Sequence, residues 1–484
     1  MAMGKRERGE QGAMWVATAD LPQSQGHPFF VRLNRILAEH GFDDYVEKAC
    51  KRFYARTMGR PSLAPGIYFR CLLVGYFEGI SSERGIDWRC ADSLGLRSFL
   101  GVPLESGTPD HSTISRTRRL IAVETHTEVF GWVLRLLAEH ELVCGKTLGV
   151  DASTLEANAA MRSIVRRDTG QSYQDFLTDL AKASGIQTPT REDIAGLDRD
   201  RKGKGSNQEW KHPHDQDAKI TKMKDGRTHL AHKIEHAADM KTGAIVGVTV
   251  QPANRGDTLS IDHTVLEALR QLERVREDPK AGAALAEPIV QELVVDKGYH
   301  SNQTLVSFEE VGIRSYASEP KRGRRNWEGK PRERCAVLSN RRRIKGARGK
   351  ALMRQRGVIL ERPFAHGLNT GGLRRVHVRG HENVLKRVLI LDAGVNLSLL
   401  MRKLSGKGTP RSLQGSPQTR TDRTDRARRT GSAGGPSGSL RGLYRFKPSH
   451  AATEPLRIAH PRHSNLRTGP SQSGRGLVAF ATGC

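Results

Sequence analysis

Two short apolar runs in this 484-residue sequence each close on an aspartate: Lys146-Thr147-Leu148-Gly149-Val150-Asp151 and Gln291-Glu292-Leu293-Val294-Val295-Asp296. Both read as strands. If they lie side by side, their carboxylates meet and could hold a hard divalent ion such as Mg²⁺, which takes oxygen ligands and lets water and substrate phosphate complete its octahedron. Two such ions about 3.5–4 Å apart activate an attacking water or 3′-hydroxyl and stabilise the leaving oxygen of an in-line phosphodiester displacement. That chemistry calls for a third carboxylate. Between Glu333 and Asp422 the chain offers only Glu361, Glu382 and Asp392, so elimination is short. Asp392 lies inside the apolar run Val388 to Leu400, as a satisfied partner within a packed helix. Glu382 falls near the start of that helix, where the dipole favours an acid for structural reasons. Glu361 remains, at the edge of a stripe made by Leu360, Phe364 and Leu368 at four-residue steps. Taken singly, an aspartate closing a strand is most often a turn or cap residue. Pro363 predicts a helix that begins near Glu361 or kinks there, since proline has no amide hydrogen to donate.

The charge around these acids points the same way. The chain has 79 Lys and Arg against 52 Asp and Glu, a formal charge of +27, which favours a polyanionic partner. Between Lys321 and Arg356 fifteen basic residues face two acids, a density that solubility does not require and that gripping a phosphate backbone does. Trp327 interrupts this run and suits either base stacking or core packing. Arg116, Arg118 and Arg119 follow Ser112 on a helical pattern, either as the wet face of a bundle or as a basic helix docked on DNA in a helix-turn-helix-like module. Histidines 212, 214, 229, 232 and 236 make a poor zinc constellation, because strand alternation puts His229 on the face opposite His232 and His236. Six scattered cysteines without a CxxC pair read as reduced thiols.

The elements that must position these residues follow from periodicity. From His27 to Leu142 apolar residues recur at helical spacing, and near Gly145 the pattern changes. After the first strand comes a polar stretch, about 162–224, that reads as an insertion too charged to be core. A hairpin follows, Thr228 to His236 and Ala244 to Val250. A helix from Asp257 to Glu273, the second apolar strand, a helix from Leu305 to Val311 and a strand from Ile313 to Ala317 complete the order. We therefore expect a disordered N-terminus at 1–26, an all-α domain at 27–144 that is either a plain bundle or a DNA-binding domain, an α/β catalytic domain at 145–404 and a basic, low-complexity, disordered tail at 405–484. The tail's Arg, Ser, Gly and Pro bias suits either a reading frame translated out of register or a nonspecific DNA-binding tail. No apolar run approaches the roughly 20 residues that span a bilayer, and Met1 to Met14 has no secretory apolar core, so we expect a cytoplasmic, nucleoid-associated protein with no membrane partner.

Several stretches resemble bacterial insertion-sequence DDE transposases. Gly59-Arg60-Pro61 through Leu72-Leu73-Val74-Gly75-Tyr76, Ser82-Glu83-Arg84, Phe99-Leu100-Gly101 and Pro109-Asp110-His111-Ser112-Thr113-Ile114-Ser115-Arg116 are similar to the family's N-terminal domain. Gly149-Val150-Asp151-Ala152-Ser153, Asp217-Ala218-Lys219, Val294-Val295-Asp296-Lys297-Gly298-Tyr299 and Leu360-Glu361-Arg362-Pro363-Phe364-Ala365-His366 resemble its DDE domain, as do Gly371-Gly372-Leu373-Arg374-Arg375, Lys386-Arg387 and Asn396-Leu397. The resemblance spans roughly His27 to Leu404. It implies a ribonuclease H-like core with Asp151, Asp296 and Glu361 as catalytic Mg²⁺ ligands, Mn²⁺ substituting. It also implies double-stranded DNA partners, the element's terminal inverted repeats and its target, and a homodimer or higher assembly on paired ends. Water attack would nick the element's ends and the freed 3′-hydroxyl would attack target DNA, with no covalent protein intermediate. Expected DNA contacts are Arg116, Arg118, Arg119, Arg324, Arg325, Arg341, Arg342, Arg343, Lys345, Arg354, Arg356, Arg374 and Arg375. Many relatives carry Tyr and Arg shortly before the glutamate and Lys or Arg seven residues after it, where this chain has Gly357 and Leu368. The competing readings are a catalytically inactive relative that represses its own element, and a metal-dependent nuclease unconnected with transposition.

Overall fold

A computed structural model describes residues 26–413 except 56–58, 60–61, 202–204, 224 and 322. The expectations for the extreme N-terminus and for the tail beyond 413 lie outside the described residues.

Seven helices come first: α1 (Pro28–Glu39), α2 (Phe42–Cys50), α3 (Pro65–Glu78), α4 (Glu83–Ala91), α5 (Leu94–Leu100), α6 (His111–Leu120) and α7 (Val123–Glu139). Side-chain caps start several of them. Ser82 accepts from the Gly85 amide, Ser93 from Leu96 and Asp110 from Thr113, each satisfying an amide that the first helical turn leaves open. α3 is buried almost all round, from Tyr68 through Phe77, and even its Arg70 is inside, held by Asp43, Asn34 and the Phe99 carbonyl.

The mixed part follows. It runs β1 (Thr147–Glu156), β2 (Val165–Arg166), α8 (Tyr173–Ala183), α9 (Arg191–Asp200), β3 (Trp210–Lys211), β4 (Lys219–Lys222), β5 (Thr228–Asp239), β6 (Ile245–Pro252), α10 (Asp257–Arg276) and α11 (Pro279–Gly282). It ends with β7 (Glu292–Val295), α12 (Asn302–Glu310), β8 (Arg314–Ala317), α13 (Pro331–Lys345), α14 (Ala347–Ala365) and α15 (His381–Ser405). The sheet is mixed, in the order β6-β5-β1-β7-β8, with β4 sharing the outer edge of the long β5. β5 is antiparallel to β1, β4 and β6; β7 is parallel to β1 and β8 parallel to β7.

Helices cover both faces of this sheet. On one face Ala268 of α10 closes on Gly247 of β6, and Thr264 of α10 bonds to Glu235 of β5. On the other, Leu360 of α14 presses on Gly149 of β1, and Asn396 of α15 donates to and accepts from the Ile245 backbone at 2.8 and 2.9 Å. α15 also reaches the N-terminal helices, where Arg387 donates to the Ile80 carbonyl at 2.8 Å and Lys386 to that of Arg118. The apolar core of the helical region is therefore continuous with much of the sheet's, while Ala238, Met240, Val294, Tyr316, Leu352 and Leu360 form a separate cluster under α14.

Three local expectations change. β1 does not end at Asp151 but continues to Glu156, because Ala152 to Glu156 find backbone partners from Glu235 back to Ala231 on β5. α14 passes through Pro363 instead of starting near Glu361. Leu360 and Phe364 on either side are buried, and their packing carries the helix across the missing bond before it widens into a π-type turn at His366–Thr370. The polar insertion has a small core of its own, in which Trp210 is buried with Ile164, Ala218, Ile220 and Leu230 beneath the rings of Tyr173 and Phe176.

Candidate active site

Parallel pairing fixes the first two acids. The β1–β7 ladder ends at the pair Val150–Val295, so the next residue on each strand, Asp151 and Asp296, emerges at the same end of the sheet. Asp151 accepts a hydrogen bond from the Ala152 amide at 2.9 Å. Arg356 of α14 lies against both carboxylates, with Nη1 3.8 Å from Asp151 Oδ2 and Nη2 3.4 Å from Asp296 Oδ1.

The helix that delivers Arg356 is held in place from two directions. Residues four apart share a helix face, so Arg356, Leu360 and Phe364 point to the sheet together. A Cβ on Gly149 would meet Leu360 at 2.8 Å and Met240 Sδ at 2.6 Å, so glycine lets α14 settle directly on β1. Near the other end of α14, Arg348 makes a two-pronged contact with buried Glu292, its Nε 2.8 Å from Oε1. Glu292 also accepts from Thr147 of β1 at 2.6 Å and Tyr316 of β8 at 3.1 Å, so one side chain ties three strands to α14. Burial pushes its carboxyl up, and these hydrogen bonds and the Arg348 charge outweigh burial and bring it down to about 2.

Behind the aspartates, on the sheet's opposite face, stands a buried polar network. Glu235, fully buried, accepts from Tyr299 and from Ser260, each at 2.8 Å, and from Thr264; Lys233 lies 3.5 Å away. Lys233 in turn donates to Asp257 at 2.6 Å and Ser260 at 2.9 Å. Tyr299 closes the short 3-10 turn that starts just after Asp296. Burial, followed by the charges of Glu235 and Asp257, holds its hydroxyl far above the ordinary tyrosine range, so it stays a donor. Gly298 in the same turn has no room for a side chain, since a Cβ would lie 2.5 Å from Asp257 Oδ2. Nothing in the spacing of Lys233, Glu235 and Tyr299 marks them as a unit; only Gly298-Tyr299 stood inside a recognisable motif.

Glu361 is placed differently. It is exposed, about 100° round the helix from Leu360. Among the described residues no group of three or more His, Cys, Asp and Glu gathers closely enough to hold a metal. The Asp151–Asp296 pair by itself fits a hard cation. Its donors are all oxygen, a positive group already lies against it, and Mg²⁺ is commonly held by one or two carboxylates with substrate phosphate and water.

The basic residues divide into two sets. Arg118 is buried against Glu83 and Asn383, Arg325 and Arg341 both pair with Glu319, and Arg343 donates to the Ser315 carbonyl at 2.9 Å. Arg116, Arg119, Arg324, Arg342, Lys345, Arg354, Arg374 and Arg375 are exposed. Trp327 packs partly buried against the main core with Arg325 over its ring. Of the histidines, His232 is buried against Asp215 at 3.2 Å, whose other oxygen meets the Gly380 amide at the start of α15. His236 stacks on Phe364 and lies 2.9 Å from Asp392, which is the buried partner expected within its helix. No helix of the described residues is long and apolar enough to cross a membrane.

Residues 18–120 match the family model described as Transposase domain (DUF772), and residues 207–397 match that of the Transposase DDE domain. The second match contains Asp296 and Glu361 and begins after β1, so Asp151 lies outside it. No curated protein and no solved structure matches the chain. With the one domain following the other along a single sequence, the protein belongs to the insertion-sequence DDE transposases.

Proposed function

We propose that the protein binds the terminal inverted repeats of its own insertion sequence, cuts the DNA there and joins the freed ends to target DNA, with Asp151, Asp296 and Glu361 as its catalytic acids. The observation that carries this reading is the convergence of Asp151 and Asp296 at one end of parallel β1 and β7, in a chain bearing both transposase domains. The strand order β6-β5-β1-β7-β8, antiparallel on one side of β1 and parallel on the other, supports a ribonuclease H-like core.

Asp151 and Asp296 would hold Mg²⁺, or Mn²⁺ in its place, with Glu361 drawn in from α14 when DNA is bound. Bound there, the metal would supply an activated hydroxyl nucleophile and charge stabilisation for the leaving 3′-oxygen. The protein's own part is positioning. Tyr299 and Glu235 fix the turn carrying Asp296, and Glu292 and Gly149 fix the helix carrying Arg356 and Glu361. Arg324, Arg342, Lys345, Arg354, Arg374 and Arg375 present exposed cations to the DNA backbone.

The test is nicking of a labelled duplex containing the DNA that flanks the gene, in Mg²⁺, with wild type, Asp151→Ala, Asp296→Ala and Glu361→Ala. Cuts at the repeat ends that vanish in all three variants are expected. Cutting that survives Glu361→Ala alone would remove that residue from the triad. Wild type that binds the ends and never cuts them, in Mg²⁺ or Mn²⁺, would replace the enzyme with a repressor.

A further inference from the structure

Arg356 is an unusual neighbour for the two carboxylates. It spans them, with separate nitrogens facing Asp151 and Asp296, and its side chain is only one-fifth exposed. Its Nε is buried without a hydrogen-bond partner, so the guanidinium occupies this place for its charge and not for a full set of hydrogen bonds. The position is also built rather than incidental, because Leu360, one turn further along α14, is seated on Gly149, two residues before Asp151. Parallel pairing forces two like charges together at the end of β1 and β7, and a planar cation between them cancels the repulsion.

A divalent cation on the same carboxylates would meet Arg356 as a like charge, so the two compete. A DNA phosphate offers the guanidinium an alternative partner of matching bidentate geometry. The geometry points to Arg356 as a resident cation that holds the Asp151–Asp296 pair in the DNA-free protein, keeps its affinity for divalent metal low, and yields the pair when a DNA phosphate takes the guanidinium. This inference rests on the reading of those aspartates as metal ligands. It makes metal uptake and DNA binding mutually reinforcing, since a coupling that raises one affinity raises the other by the same factor. The free protein is thereby kept from becoming a metal-loaded nuclease away from its DNA.

The experiment measures Mn²⁺ binding to the full chain by the loss of the free-ion EPR signal, with and without a duplex, so that no turnover is required. Arg356→Gln is expected to bind Mn²⁺ about tenfold more tightly than wild type without DNA, and the duplex is expected to shrink that gap to about threefold by raising the wild-type affinity. Equal or weaker Mn²⁺ binding by Arg356→Gln, checked as folded by thermal unfolding, overturns the inference. Should that variant fail to fold, Arg356→Lys takes its place. Its point charge cannot span both carboxylates, and tightening of about threefold is expected, with none overturning the idea. Adding Asp151→Asn to Arg356→Gln separates the two readings. Loss of the gained affinity upholds the metal role of the pair, and Mn²⁺ binding that ignores Asp151 removes that role and the inference with it.

Discussion

Tyr299 donates its hydroxyl hydrogen to Glu235 at 2.8 Å, and this bond fastens the turn that follows Asp296 to the strand that flanks Asp151. Tyr299→Phe keeps the ring and removes the donor. Glu235 retains Ser260, Thr264 and Lys233, so stability is expected to fall by only about 1 kcal/mol. The turn carrying Asp296 loses its anchor, and strand cleavage is expected to fall by about tenfold, more than the stability loss implies. Chemical denaturation and nicking rates on the same preparations check this. Equal cleavage by the variant would show that Tyr299 serves the fold alone.

Glu292 predicts an acid limb to the stability curve. Its carboxyl is brought down to about 2 in the folded protein, below the value of about 4.3 for a free glutamate. A depressed carboxyl contributes stability that is complete above the unfolded value and is lost as pH falls through the folded one, so this contribution should fade between about pH 4.5 and 2. Glu292→Gln is expected to lower stability at pH 7 by roughly 2 kcal/mol, since Arg348 loses its charged partner and Thr147 and Tyr316 lose theirs. Between pH 5 and 3 its unfolding midpoint should change less than that of wild type. Parallel slopes for the two proteins would assign the acid limb to other carboxylates.

How much of this was open to reading depends on how local each signal is. The β1 and β7 runs were legible because apolar residues stand together and stop at an acid, and the parallel pairing that joins Asp151 to Asp296 follows once both strands enter one sheet. The extension of β1 to Glu156 was not legible, since Ser153 and Thr154 carry no apolar alternation and owe their strand to β5 alongside. Of the two outcomes Pro363 allowed, a helix starting near Glu361 is the one that does not occur, because buried Leu360 and Phe364 hold the helix together on either side of the proline. Arg356 looked like one more member of a basic run. Its four-residue step to Leu360 was the available clue that it turns inward, whereas Arg342 and Lys345 stay outside. Lys233 and Glu235 of β5, Ser260 of α10 and Tyr299 of the turn after β7 come from three separate elements, and no spacing along the chain announces the network they assemble.

The exposed cations yield a salt-dependence prediction. Each phosphate contact contributes about 0.9 to the slope of log affinity against log salt on duplex DNA. Arg342→Ala, Lys345→Ala and Arg354→Ala are exposed positions with little to lose in stability, within about 0.5 kcal/mol each. Any that grips the backbone should weaken binding uniformly across DNA sequences and lower the slope by about 1. Arg341→Ala should instead destabilise the protein, because Arg341 makes a bidentate contact with Glu319 at 2.6 and 2.9 Å. Fluorescence anisotropy at several salt concentrations separates the two kinds of residue. An unchanged slope in all three exposed variants would remove α13 and α14 from the DNA contact.

Gly149 tests whether the seating of α14 sets the site. A single added carbon there meets Met240 Sδ at 2.6 Å and Leu360 at 2.8 Å, inside the range that real contacts avoid. Leu360 is a flexible side chain, but it is buried between β1 and its own helix, so relief requires α14 to lift. Gly149→Ala is expected to cost about 1–3 kcal/mol as an overpacked core position. The same lift carries Glu361, the proposed third acid and the residue next to Leu360 on α14, further from Asp151 and Asp296. Cleavage should therefore fall further than binding to DNA, because the exposed cations of α13 are untouched by the change. Adding Leu360→Val gives back volume at the contact, and rescue of both stability and cleavage by the second substitution is the expected outcome. Rescue of stability without cleavage would mean that Gly149 acts at the site other than by the height of α14, through the backbone of the strand that carries Asp151.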